Sequence, residues 1–410
     1  MFPFVLRAAA LAAAVFPALS AAAPLTLDEA LQLAAQRSEA ARSARAGMAG
    51  ASEAARAAGQ LPDPVLGVSL ENLPVTGPDR FSTARENMTM KRIGISQEWV
   101  SAQKRSLRAA AATAMVAREA AAFAVANADT RLQTALAFID TYYAAEALKL
   151  GLLNEGHARE AMQTAKARLS SGGTGAQDVL GLSSAQGMAE DETADLRQQL
   201  ASFRINLSRW LGRSEEELAM PAPPKLPGEP AFVAVSPLVV AKSRDVEVAR
   251  QEAAVVAANR HPNWTWQVAY GQRTGFSDLL TVGVNIPLPV APAARQDRET
   301  ASRLALVEKA EAELAEATRA AQAEYRQLAS EEQHHTHRIA RYQGTVLAPA
   351  VQRTATATAA YRANQASLTM VFDARHAELE AHRKLLDLQR ELARMRARLA
   401  YKPLLAEDLQ

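Results

Sequence analysis

Apolar residues follow two different periods along this chain. From Leu279 to Pro289 (LLTVGVNIPLP) they alternate, with Leu280, Val282, Val284, Ile286 and Leu288 on one side and Thr281, Gly283 and Asn285 on the other. A period of two predicts a strand. Similar stretches are VLGVSL from Val65, MTMKRIGISQEW from Met88 to Trp99, and WTWQVAY from Trp264 to Tyr270. They predict strands over about 64–73, 88–99, 264–274 and 279–289.

Between the strands the spacing is helical. Leu25 to Gln60 has no proline and predicts one long helix, opened by a capping box of Thr26 and Glu29 and stopped by the prolines of LPDP. From Ser101 to about Leu169, Leu132, Leu136, Ile139, Tyr143, Leu150 and Leu153 fall on a heptad seam interrupted by Glu146. Unbroken, such a helix is on the order of 100 Å long, more than a globular domain needs. Glycines break it at SSGGTGAQD, Ser170 to Asp178, and another helix runs to Gly212.

A Pro-rich linker, MPAPPKLPGEP, follows from Met220 to Pro230, and then the order repeats. A helix runs from Ser236 to Pro262, two strands follow, and a helix carries Leu304, Val307, Leu314, Ala321, Tyr325 and Leu328 at heptad spacing. A break at RANQAS, Arg362 to Ser367, precedes a final helix to about Tyr401. ASEAARAAG resembles RQEAAVVAA, and RIGISQEWVSAQKR resembles TVGVNIPLPVAPAARQ, so the chain is an internal duplication. The expected division is a signal peptide at 1–23, a first repeat at 24–212, a linker at 213–235, a second repeat at 236–402 and a tail at 403–410.

Composition sharpens this picture. Hydrophobic residues make up 49% of the 410, but aromatic residues only 5%, which favours helices packed through alanine over a core of large rings. Net charge is +2, with both signs interspersed, so no nucleic-acid surface is expected. Arg7 before the apolar run Ala8 to Leu19, then small residues at Ser20 to Ala23, read as a secretory signal. No later apolar run reaches the ~20 residues of a membrane-spanning helix, so none is expected. With no cysteine there is no disulfide, thiolate metal site or thiol-linked lipid.

Strands of about ten residues with this alternation suit an outer-membrane barrel, and they equally suit small hairpins packed on helices in a soluble protein. Four strands cannot close a barrel, so a membrane role requires several chains to pool them. There is no Gly-rich phosphate loop, HExxH or Gly-x-Ser-x-Gly motif, and the acidic residues sit at helical spacing to basic ones; no enzyme and no cofactor is expected.

LPDP before the first strand, IGISQEW with the basic AQKR after the second, GVNIPLP, and the two breaks GGTGAQDVL and NQASLTMVFDAR occur in the order, and with the double occurrence, of the TolC family of outer-membrane efflux proteins, which the chain resembles over its mature length. The resemblance implies a mostly α fold with a membrane β-barrel contribution: a homotrimer whose subunits give four strands each to a twelve-stranded barrel, continued by a periplasmic α-helical tunnel. It also implies a location in the outer membrane, with most of the mass in the periplasm. It places Gly172, Gly173, Thr174, Gly175 and Asp178 at one periplasmic tip, and Asn364, Gln365, Ala366 and Ser367 at the other, where an adaptor docks. Asn364 stands where the family usually has glycine, and asparagine also adopts the left-handed conformation. The family's namesake carries two aspartates in the second tip; here Met370 replaces the first, and Asp373 alone would form a cation-attracting constriction ring.

His334 and His337 share a helical face and are weak candidates for metal; without further ligands at set spacing they make no structural site. The motifs are most similar to the heavy-metal branch of the family. The partners this implies are a periplasmic adaptor (membrane fusion protein), an inner-membrane RND-type pump and outer-membrane lipid. The same fold exporting drugs, organic solutes or a secreted polypeptide, and a soluble periplasmic coiled-coil adaptor, are the alternatives.

Overall fold

The computed structural model describes residues 24–170, 175–215 and 217–405. The expected signal peptide, Gly172, Gly173 and Thr174 of the first tip, and the last five residues of the tail lie outside them. Chain order is α1 (Leu27–Arg37), α2 (Glu39–Ala58), β1 (Val65–Glu71), β2 (Met90–Trp99), α3 (Ala102–Ser170), α4 (Ala176–Leu211), α5 (Glu229–Ala234), α6 (Pro237–Ala258), β3 (Trp264–Gln272), β4 (Leu279–Asn285), α7 (Gln296–Tyr342), a π-helical turn (Gln343–Leu347), α8 (Ala348–Arg362) and α9 (Leu368–Tyr401).

Thr26 and Glu29 form both bonds of the capping box that opens α1. The single helix expected over Leu25 to Gln60 is two. Ser38 leaves helical geometry at φ −64, ψ 107, and its hydroxyl caps α2 by accepting from Ala41 N–H at 3.1 Å. The same hydroxyl meets Thr130 Oγ1 on α3 at 2.8 Å, so the break is anchored against the neighbouring helix.

The strands form one antiparallel sheet in the order β1-β2-β3-β4, so the central pairing, β2 with β3, joins the two repeats. The register sorts every residue onto one of two faces. Leu66, Ile95, Val268 and Val282 lie in one row and Val68, Ile93, Tyr270 and Leu280 in the next. The opposite face carries the row Gly67, Gly94, Ala269, Thr281 and the row Val65, Ser96, Gln267, Gly283. Gly94 is required there: a Cβ on it would stand 2.6 Å from the Ala269 Cβ. β4 ends at Asn285, short of the expected 289, and Pro287 supplies no N–H to continue a ladder.

The expected seam is buried at Ile139, with Leu136 and Tyr143 packed beside it, and alanine recurs along the rest of the buried face of α3. Ala114, Ala121, Ala128 and Ala135 recur every seven residues, and Ala144, Gly151, Ala158 and Ala165 do so lower down, while Leu153 is exposed. On α4, Leu182, Ala189 and Leu196 with Thr193, Leu200 and Leu207 keep the same repeat against it. Small residues let helix axes approach closely, and a strict seven-residue repeat keeps their contact on one seam over the whole length. One window of α3 is long and apolar enough to cross a membrane, contrary to the expectation of none. It is only 17% buried within the chain.

Midway along, the linker and the segments around Leu25 and Leu404 fold onto the helices. Leu25 bridges to Leu218, and Leu404 N–H donates to Val235 C=O at 2.9 Å. Phe138 is fully buried among Leu25, Leu27, Ile139, Leu207, Leu211 and Ala397. Phe138→Ala is expected to cost about 3–5 kcal/mol, read as a lower urea midpoint of the helical circular-dichroism signal in purified protein; an unchanged midpoint would remove this cluster from the core.

Candidate functional site

Two regions carry the candidate residues: the sheet and the two hairpin tips. On the sheet, Val68, Leu280 and Val282 are 75%, 70% and 70% exposed, so the rows above form one continuous apolar surface. Trp99 and Trp264 close its helix end with ring centroids 5.9 Å apart, and Phe81 and Phe276 stand exposed in the loops at the other end. Along its axis β2 spans roughly 30 Å at about 3.3 Å per residue, which a tilt of about 40° turns into roughly 23 Å of height. The other face is polar, with Arg92 Nη1 donating to Glu71 Oε1 at 2.8 Å, and a cleft of about 200 Å³ lies along Gly67, Ser69, Gly94, Ser96 and Gln267. Among the described residues the outer edges of β1 and β4 have no partner strand.

Where sheet gives way to helix, Lys104 is buried and donates to Asn263 Oδ1 at 2.9 Å, and Asn263 Nδ2 donates to Glu98 Oε1 at 2.7 Å. Burial, then the charge of Arg108, holds this ammonium below the usual lysine range. The triad ties α3 of the first repeat to the start of β3 in the second. The sequence showed AQKR only as a motif, because its partner Asn263 is distant in the chain.

At the first tip, Gly175 is extended at φ −76 and precedes α4, with Asp178 in the first helical turn where the dipole favours a carboxylate. At the second, Asn364 takes φ 58. Gln365 N–H donates to Ala360 C=O at 2.8 Å and Asn364 N–H to Tyr361 C=O at 3.0 Å, the paired bonds of a Schellman ending. Ala366 completes the turn, and Ser367 then caps α9, its hydroxyl accepting from Met370 N–H at 3.2 Å. Val371, Phe372 and Ala374 are buried, whereas Met370 and Asp373 are exposed, so Asp373 points away from the packing of its own hairpin.

The tips meet each other. Phe372 and Leu368 of α9 pack on Ala158, Met162 and Leu182 of α3 and α4. The Arg168 guanidinium lies 4.9 Å from the Tyr361 ring centroid, and His376 Nδ1 lies 3.4 Å from Asn154 Oδ1. Beside them the His157 Nδ1 is buried without a partner. Sequence reasoning missed these groups, since each joins residues about 200 positions apart and no local pattern marks them.

His334 and His337 sit exposed on α7, apart from either tip. The ring of His334 meets that of His335 edge-on at 5.8 Å, Glu331 accepts from Gln327 at 3.0 Å, and no group of three or more His, Asp or Glu able to hold a metal forms among the described residues.

No family model matches the chain. It is 27% identical over 288 residues to the cobalt-zinc-cadmium resistance protein CzcC of Cupriavidus metallidurans, a match that covers 67% of this chain and 65% of that protein. The outer-membrane protein VceC of Vibrio cholerae superposes with a TM-score of 0.75 at 17% identity, over 92% of this chain and 96% of that one. The CusC channel gives 0.75 at 15%, over 92% of both chains. The open-state MtrE outer-membrane channel of Neisseria gonorrhoeae gives 0.70 at 15%, over 94% and 90%.

The tip contact carries a pH dependence. Burial first, and then the nearby Arg375, depress the His157 pKa below 6.5 in the folded chain, outweighing Glu160 and Glu378. The unfolded chain therefore takes up the proton first, and stability present above pH 6.5 is lost as pH falls below it. Wild-type protein is expected to melt earlier at pH 5.5 than at pH 7.5, and His157→Gln to show a smaller decrease; equal decreases would clear His157 of the effect.

Proposed function

We propose that the chain, TolC-like in fold and similar in sequence to a metal-resistance protein, is one subunit of an outer-membrane exit duct that passes heavy-metal cations out of the cell. The observation that carries this is the sheet: one face apolar across four strands in register, both edges open among the described residues, set on helices far longer than a soluble domain needs. In hydrocarbon a sheet edge must be paired, so β1 of one subunit pairs with β4 of the next, and three copies close a twelve-stranded barrel. The apolar rows meet lipid, and Gly67, Gly94, Thr281 and Gly283 face the lumen. Trp99 and Trp264 lie at the periplasmic boundary of the lipid. Most of the mass stands below them in the periplasm.

The surface area supports assembly. The chain exposes 25317 Å², against roughly 15,000 Å² for a compact monomer of this mass. Exposed apolar side chains along the helices, among them Leu153, Leu180, Met188, Ile205 and Leu304, are then covered by neighbouring subunits. The duct performs no chemistry. An RND-type inner-membrane pump and a periplasmic adaptor drive export, and the adaptor engages the tips at Gly172–Gly175, Asp178 and Asn364–Ser367. Three Asp373 carboxylates, projecting from their hairpins, form a ring at the constriction that draws cations in. The similarity to the cobalt-zinc-cadmium resistance protein supports metal as the cargo.

Deleting the gene is expected to sensitise cells to Zn²⁺, Co²⁺ or Cd²⁺ and to leave resistance to dyes and detergents unchanged; sensitivity to the organic compounds alone would overturn the cargo. In planar bilayers Asp373→Asn is expected to lower the cation-to-anion permeability ratio several-fold. An unchanged ratio would take Asp373 out of the constriction.

A further inference from the structure

Of the strand residues that the register puts on the polar face of the sheet, three are ionisable: Glu71, Arg92 and Glu98. Glu98 stands at the helix end, where Asn263 Nδ2 donates to it. Glu71 and Arg92 stand at the loop end, Glu71 as the last residue of β1.

These two cross the ladder on the diagonal, since Arg92 lies opposite Ser69 and Glu71 opposite Met90. Arg92 Nη1 donates to Glu71 Oε1 at 2.8 Å, and Ser69 Oγ donates to the same oxygen at 3.2 Å. The two side chains are 24% and 34% exposed, so the pair stays open to the space in front of the sheet. Around it the face is held flat. Gly271, opposite Arg92 on β3, has no room for a side chain, because a Cβ there would stand 2.8 Å from Met90 Sδ. The next row toward the helices is Gly67, Gly94, Ala269 and Thr281.

The loops beyond add no net charge. Arg80, Arg85 and Arg273 are matched in number by Asp79, Glu86 and Asp278. Asp79 pairs with Arg85, and Asp278 accepts from the Tyr270 hydroxyl. The balance at this end of the face therefore turns on whether Glu71 compensates Arg92.

Geometry makes that balance matter. Twelve strands about 4.8 Å apart and tilted about 40° enclose a backbone circle of roughly 12 Å radius. A charge carried a few Å inward from that wall lies within one Debye length of the axis, about 8 Å at physiological salt. A ring of unmatched guanidinium groups would oppose cations at the exit, and a ring of unmatched carboxylates would retain them.

We propose that Glu71 is a selectivity-determining residue of the outer mouth: by compensating Arg92 it removes a barrier to cations, while Arg92 keeps the carboxylate from holding them. This rests on the channel reading, which puts the polar face in the lumen and brings one pair from each subunit into a ring.

Reversal potentials of the full-length protein in planar bilayers test it. Glu71→Gln is expected to lower the cation-to-anion permeability ratio about threefold, and Arg92→Gln to raise it by a similar factor. The double variant should return to the parent ratio, and Arg92→Lys, which keeps the charge, should not leave it. The same shifts are expected on an Asp373→Asn background. Each should shrink between about 0.1 M and about 1 M salt, as the Debye length falls from about 10 Å to about 3 Å. A pair that only braced β1 against β2 would give single variants that melt earlier but keep the parent ratio. That result, or shifts of the same sign in both single variants, would overturn the proposal. Parent protein that forms no channels would overturn the channel reading, and the ring with it.

Discussion

Unpaired backbone groups set the terms for this molecule. Among the described residues the outer edges of β1 and β4 leave a row of N–H and C=O groups without strand partners, and the sheet face beside them is apolar from Leu66 to Val284. Water would satisfy the edges and penalise the face; hydrocarbon would accept the face and charge several kcal/mol for each open backbone group. Closing the edges with further copies of the same strands satisfies both demands at once. The small residues on the opposite face, Gly67, Gly94, Ala269 and Gly283, keep bulk out of the space such a closed sheet encloses.

The helices answer a related problem of length. A wall on the order of 100 Å long has too little depth for large side chains, so the chain packs alanine against alanine and leucine at seven-residue intervals. That choice explains why aromatic residues are few, and why two of the buried ones, Phe138 and Phe232, lie midway, where the linker and the segments around Leu25 and Leu404 give the molecule a second layer, while Phe372 packs near the tips. Polar joints then hold the repeats in register at three heights: Lys104 with Asn263 at the sheet, Asp140 with Arg394 midway, and Asn154 with His376 near the tips.

Much of this was legible in the residues, because strands and helix ends are local events. The capping box at Thr26, the prolines of LPDP and the alternation through β4 each act within a few residues of themselves. Asn364 could be read as a left-handed position from its place in NQAS. The break at Ser38 was also marked, by a basic residue before a good cap and an acidic one after it, but the surrounding alanine-rich pattern hid it. The leucine seam of α3 held at Ile139, Leu136 and Tyr143 and failed at Leu153, because alanines carry the packing against α4 along the rest of the helix. The pairing of β2 with β3 and the contacts of His157, Asn154 and Arg168 have no local signature. Of the candidate tip, Asn364–Ser367, Gly175 and Asp178 take the geometry described, and Asp373 faces outward.

The central claim is that strand edges are closed by identical copies in a membrane. Native mass spectrometry of the protein extracted from outer membranes in detergent tests it most directly. The account predicts particles of three chains that stay together until the micelle is stripped and the sample heated. A single chain of 43.9 kDa or less, monodisperse in buffer without detergent, would contradict it.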